Sequence, residues 1–476
     1  MTPGNAPLFA EAVVRPQGAQ KDAVDSALSK LLATSDPGGF IVDRLDRALG
    51  QQAKGFTYES DVAPWLGPRA GVFFETLTNR ADGAAALAVT DAAAARQAIK
   101  KASSASKKPE RNASYHGVGY TLSAGGTATG LVGDFLVTGS RKAFEDAVDA
   151  SRGSSLADSS QFTAQLNAQP SDQLAFAYAD PRGIVDALER SGQVTAAQVT
   201  SAGAGLQALL SQPVALSLSA TADQLSLQAS AATSSSTPAP QQSSLLGSFP
   251  GDSWLAFAAS GAGSSYGQAL TRGGSTAIRK ALGFDLGSQL SRWAGDVGGF
   301  VRGTSLFGLG GALVLQTTDQ QASGQTLSEL QRALARRPSV RVSPLSAAGE
   351  QGFSLSLAGT PIPLDFVQRD GKVVVGLGSD SVDQVFSPSS TLSGSDAFKA
   401  ATGALGGDYS PVSFIDFVPL FALVDSFPQT AGDPSYQAAK PYLDHLDYLI
   451  LGAKPEGNRA SVRAVLGLRQ AASSAP

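Results

Sequence analysis

The chain holds two histidines and no cysteine, and these counts bound its chemistry before any fold is considered. Without thiols it has no disulfide, no cysteine nucleophile, no zinc–thiolate site and no iron–sulfur cluster. His116 lies in Tyr115-His-Gly-Val-Gly-Tyr120, a stretch that reads as strand. His445 lies in Asp444-His-Leu-Asp447, which could offer two or three ligands to a divalent cation. That cluster is short and has no second histidine, and neighbouring residues rarely face one ion without further ligands. No metal site is expected there. Asp91 and Asp319 each end an apolar run and begin a helical pattern. Neither has a nearby histidine or second acid, so each is expected to cap a helix rather than to do acid–base work.

Other motifs lead to the same place. Gly261-Ala-Gly263, Gly308-Leu-Gly-Gly311 and Gly376-Leu-Gly378 complete neither a dinucleotide fingerprint nor a phosphate loop. No Gly-x-Ser-x-Gly elbow exists. Ser104-Ala-Ser-Lys107 has a Ser-x-x-Lys spacing, but it falls in the polar stretch Ser103 to Asn112 rather than at a helix start. Asn112-Ala-Ser114 is a sequon whose use depends on the host. Lys100-Lys101 and Arg336-Arg337 end two helical patterns, where cations complement the dipole. No catalytic, cofactor-binding or metal-binding residue is assigned.

What the sequence does repeat is structural. Asp61-Val-Ala-Pro-Trp65-Leu-Gly67 precedes two apolar runs that end in Thr90-Asp91, and Leu290-Ser-Arg-Trp293-Ala-Gly295 precedes two that end in Thr317-Thr318-Asp319. Trp65 to Asp91 and Trp293 to Asp319 both span 26 positions. The period of about 230 residues is far beyond solenoid units of about 20–50 residues, so the pattern points to a duplicated domain. Each Trp is expected to be a core anchor, not a ligand platform. Gly67 and Gly295 are expected to take backbone angles that other residues resist.

The elements that must position these residues alternate. Strands are expected at Leu8 to Val14, Gly71 to Thr76, Ala84 to Val89, Ser114 to Ser123, Thr127 to Leu131, Phe135 to Thr138 and Gln173 to Tyr178, with a closing hairpin at Val214 to Ala229. Helical spacing covers Asp22 to Leu32, Phe40 to Leu49, Asp91 to Ala102, Arg141 to Ala150, Pro181 to Glu189 and Thr195 to Leu210. The second half restarts at Ser253 and repeats six blocks in order, ending in a hairpin at Tyr448 to Gly467. The expected fold is α+β: two homologous halves, residues 1–232 and 248–476, each a mostly antiparallel sheet with helices packed on one face, joined by a Ser/Pro/Gln linker at 233–247. The opening order of each half matches that of a ferredoxin-like unit.

Composition narrows the function classes. Charged residues make up 16% and the net charge is −4, with no basic footprint for nucleic acid. No apolar run reaches the ~18 residues of a membrane-spanning helix, and Met1 to Pro7 is not a signal sequence.

Ala10-Glu-Ala-Val-Val-Arg-Pro16, Ala23-Val-Asp-Ser-Ala-Leu28 and above all Asp61-Val-Ala-Pro-Trp-Leu-Gly-Pro-Arg-Ala-Gly71 carry a resemblance over most of the chain. It resembles the bacterial domain-of-unknown-function family 3352. The second half departs from that pattern, with Arg292 where the motif has Pro and Ala294 where it has Leu. The resemblance implies no reaction and no catalytic residues. It does imply an extracytoplasmic protein of the cell envelope, with its leader or membrane anchor absent from this chain. The leading expectation is a non-enzymatic binding or structural protein whose partner is a cell-surface protein or an apolar ligand. The alternatives are a carrier of a lipid or other apolar ligand, and a hydrolase with an unfamiliar site.

Overall fold

The structure, a computed structural model, describes residues 1–52, 55–76, 82–105, 110–190, 192–195, 212–232, 243–273, 275–338, 340–345, 351–357, 359, 362–457 and 459–470. The chain divides into two compact units. One comprises Met1–Pro238 with Pro455–Val462, and the other Ala239–Lys454 with Arg463–Pro476. The tip of the last hairpin thus groups with the first unit, which a simple division at the linker does not anticipate.

The first unit is built on ten strands: β1 (Leu8–Val13), β2 (Leu66–Thr76), β3 (Asp82–Val89), β4 (Glu110–Tyr115), β5 (Val118–Ser123), β6 (Thr127–Val132), β7 (Phe135–Ser140), β8 (Ala175–Ala179), β9 (Val214–Thr221) and β10 (Gln224–Ala232). Their spatial order is β10-β9-β8-β1-β2-β3-β7-β6-β5-β4, and each of these pairings is antiparallel. β1 pairs directly with β2, although three helices lie between them in sequence. That rules out the ferredoxin-like arrangement, whose split unit places another strand between the two that flank the first helix.

The fold is α+β as expected, but its helices do not keep to one face. Residues i and i+1 of a strand point to opposite sides. Val132 and Val137 pack beneath the helix Arg141–Ala150, with Phe144, Ala147 and Val148. Their neighbours Leu131 and Leu136 pack instead with Trp65 and with Ala95 and Ala98 of the helix Ala92–Ala105. Both faces of this part of the sheet are apolar, so both recruit a helix.

The second unit uses β11 (Ser253–Ala259), β12 (Ala294–Arg302), β13 (Gly310–Thr317), β14 (Val340–Leu345), β15 (Gln351–Leu357), β16 (Leu364–Arg369), β17 (Lys372–Leu377), β18 (Ser410–Asp416), β19 (Leu446–Glu456) and β20 (Arg459–Leu468). Their order, β20-β19-β18-β11-β12-β13-β17-β16-β15-β14, repeats that of the first unit strand for strand. Its core gathers Phe249, Phe300, Phe398, Phe414, Leu405 and Ile450. Leu245 and Leu246, at the end of the expected linker, are buried in that core. The expected linker otherwise falls mostly outside the described residues, as does the expected helix Thr195 to Leu210.

Local departures have local causes. The expected strand Ser114 to Ser123 is two strands, β4 and β5, joined at His116-Gly117. Both residues have positive φ, +46° and +76°, as a two-residue hairpin turn requires. The polar stretch Ser103 to Asn112 is not one loop, because the preceding helix continues to Ala105 and β4 starts at Glu110.

Candidate functional site

Strand alternation sends Phe9, Phe73, Phe176 and Tyr178 of β1, β2 and β8 toward one side of the first sheet, where helix-borne Leu156 and Phe162 cover them. The intervening residues face the other way. Ala10 and Ala12 on β1 and Ala175 and Ala177 on β8 are in register side by side. β9 adds Leu216 and Leu218, β10 adds Leu227, and β2 and β3 add Val72 and Leu87. The result is a trough of about 500 Å³ with an alanine floor and branched apolar walls. β9 and β2 lie three strand spacings apart, about 14 Å. Leu216, Leu227 and Val72 on its walls are 40%, 48% and 39% exposed. Glu11 and Ser217 also line the trough, but strand alternation turns both side chains to the opposite face, where the Ser217 hydroxyl donates to Gln169.

The sequence carried a signal for this surface. Ala175-Phe-Ala-Tyr-Ala179 and Leu8-Phe-Ala are apolar at both parities, which an antiparallel strand with one solvated face does not need. Read as strands alone, they did not identify the trough, because alanine counts equally well as core filler.

The residues singled out from the sequence are placed as follows. Asp91 accepts the N–H groups of Ala93 and Ala94 at 2.8 and 3.0 Å, and Asp319 accepts that of Ala322 at 3.0 Å, so both cap helices. His116 sits in its turn 3.6 Å from Asp149. His445 Nδ1 lies 3.0 Å from the Arg469 carbonyl, and Asp444 pairs with Lys440 at 2.9 Å. No group of three or more His, Asp or Glu with metal-binding geometry occurs among the described residues. Ser104 donates to the Lys100 carbonyl, while Lys107 lies outside the described residues. Lys101 does more than face a helix end: its ammonium contacts both Asp61 oxygens at 2.6 and 2.7 Å.

Trp65 and Trp293 are both buried. The Trp65 indole donates to the Asp61 carbonyl at 2.6 Å, and that of Trp293 to the Thr326 hydroxyl at 3.0 Å. Gly67 and Gly295 do not have positive φ. A Cβ on Gly67 would lie 2.9 Å from that of Ala88, so close approach is what requires glycine there. At Gly295 the nearest atom would be 3.4 Å away, an ordinary contact.

Two charged clusters perturb titration. Burial pushes the Glu75 carboxyl up, and Asp146 adds to this against the opposing Lys142. Burial would lower Lys142, but hydrogen bonds to Asp146 and Glu75 outweigh it and raise the ammonium to about 12. Burial likewise raises Asp416, helped by Asp447 and opposed by the Val418 N–H and Arg469. In the second unit a cleft of about 790 Å³ is lined by Gln320, Gln321, Gln325, Gln351, Gln368 and Arg332, among others. Ser328, Glu329 and Asp370 line it too; the Ser328 hydroxyl donates to the Gly324 carbonyl at 2.9 Å, and Glu329 accepts from the Gln289 amide at 2.6 Å.

No curated protein matches the chain. Three solved structures are similar to parts of it, crystal forms I, IV and III of TP0453, at 9%, 11% and 11% identity. They cover 50%, 48% and 49% of this chain and 80%, 80% and 95% of their own, with TM-scores of 0.26, 0.24 and 0.26. The family model described as "Protein of unknown function (DUF3352)" matches residues 43–465, and the chain belongs to that family.

Proposed function

We propose that the protein is a non-enzymatic binding protein that holds the apolar part of a ligand, such as a lipid acyl chain, in the trough of its first unit. The observation that carries this reading is the trough's composition. A polar cleft costs a protein little in water, whereas a contiguous open apolar surface is uncommon and marks a place of binding. The alanine floor and taller Leu and Val walls suit a slender chain without hydrogen-bonding groups. Burying each CH₂ of such a chain contributes about 0.8 kcal/mol, so a long chain gains several-fold more than one aromatic ring edge could.

The reading extends to an extracytoplasmic place in a bacterial cell envelope, supported by the sequence resemblance and the weakly charged, Gly/Ser-rich composition. The identical strand order of the two units supports their origin by internal duplication. The test is mass spectrometry of solvent extracts from the protein purified out of its own host. Acyl lipids at near-stoichiometric ratio support the proposal. A lipid-free protein that also fails to take up added fatty acid contradicts it.

A further inference from the structure

The connection between β12 and β13 carries two apolar side chains into solvent. Phe307 is 99% exposed and Leu306 54% exposed. An isolated exposed apolar residue is ordinary and needs no explanation. Three features set this pair apart: its support, its neighbours and its charge.

The loop is braced. Ser305 accepts the Gly308 N–H with its carbonyl at 3.1 Å and its hydroxyl at 3.3 Å, closing a tight turn over Leu306–Gly308. Gly303 has φ +96°, and a Cβ there would lie 2.0 Å from the Gly308 carbonyl oxygen, so the two arms of the loop touch. The Trp254 indole donates to the Gly303 carbonyl at 3.0 Å. Arg302, at the base, contacts Asp252 and Asp380, each at 2.9 Å. The apolar pair is therefore presented on a fixed base.

The same end of the second sheet exposes further apolar groups. Arg302 is opposite Gly310, Ala312 opposite Gly376, and Leu364 opposite Leu377, which brings the start of β16 to that end. Ile362, just before β16, is 37% exposed. β18 ends there too, since Ser253 is opposite Arg302 and Leu255 opposite Ile415, and Val418 beyond it is 40% exposed. These groups are spread over an end of the unit with Phe307 on a projecting turn. A fluid interface accommodates such an array without a preformed pocket.

We propose that Phe307 and Leu306 are a membrane-docking tip that enters the interfacial layer of an electrically neutral bilayer. Apolar and aromatic side chains are the groups that enter that layer in interfacial proteins. Neutral lipid is specified because the cation at the base of the tip, Arg302, is already engaged by two carboxylates. The described loop, Gly303 to Gly308, holds no Lys or Arg to favour an anionic surface. The contact proposed is peripheral, made by the side chains of this turn. The inference does not depend on the trough of the first unit.

The test is flotation of the full chain with phosphatidylcholine vesicles, comparing wild type with the double variant Phe307→Ser, Leu306→Ser. Wild type should float, and the double variant should partition at least about tenfold more weakly. Its melting midpoint should fall only slightly, because Phe307 is almost wholly in solvent and Leu306 is more than half exposed. A trough variant, Leu216→Gln, should float like wild type, which separates this docking from ligand uptake. Wild type that does not float, a double variant that floats equally, or flotation only with phosphatidylglycerol vesicles would overturn the proposal.

Discussion

Thr90 donates both its backbone N–H, at 2.8 Å, and its hydroxyl, at 3.1 Å, to the carbonyl of Trp65. Thr318 makes the same two bonds to Trp293, at 2.7 and 2.9 Å. Each bond pair ties the entry of a β-hairpin to its exit, one residue before a capping Asp. The shared 26-residue spacing is thus a closed structural loop made in both units.

Both tryptophans should therefore act on stability. Trp65→Ala and Trp293→Ala should each cost about 3–5 kcal/mol, the range for truncating a large buried side chain. Urea denaturation measures this, and an unchanged midpoint for either variant would return that Trp to the list of ligand platforms.

The two glycines that follow should behave differently. Gly67→Ala forces a Cβ to 2.9 Å from Ala88 Cβ and 3.0 Å from the Ala88 carbonyl oxygen. It should cost about 1–3 kcal/mol, as overpacking does. Gly295→Ala meets only the Thr318 methyl at 3.4 Å and should be close to neutral. Equal thermal shifts in the two variants would refute the close-approach argument.

Asp61 links the first of these anchors to pH. Burial would raise its carboxyl, but hydrogen bonds from Lys101, the Thr57 N–H and Ser60 outweigh it, and the net shift is downward. A carboxylate depressed in the folded state stabilises it above its unfolded pKa of about 3.9. That contribution fades as pH falls through the lower folded value. Asp61→Asn should then be destabilised at pH 7, with the gap to wild type narrowing below pH 4. Melting curves at several pH values that show a constant gap would contradict this assignment.

Much of the fold was legible in the sequence because it rests on local signals. The caps at Asp91 and Asp319, the helix Arg141–Ala150 and the closing hairpins follow from residue type and period. Three features did not. Alternation cannot say which face a helix will choose when, as at Leu131-Val132 and Leu136-Val137, both parities are apolar. A two-residue turn at His116-Gly117 was hidden inside one β-compatible run. The trough depends on six strands, β1, β2, β3, β8, β9 and β10, and no short window contains Ala10, Val72, Ala177 and Leu216 together.

The central claim, that the trough takes an acyl chain, is tested most directly by titrating the full chain with a dansyl-labelled undecanoic acid and following the dansyl emission. Wild type should bind it saturably with a blue shift. Binding should be at least about tenfold weaker in the double variant Ala177→Gln, Leu216→Gln, whose amides intrude on the floor and wall without touching the Phe-rich face. Absence of binding to wild type, or equal binding to both proteins, would contradict it.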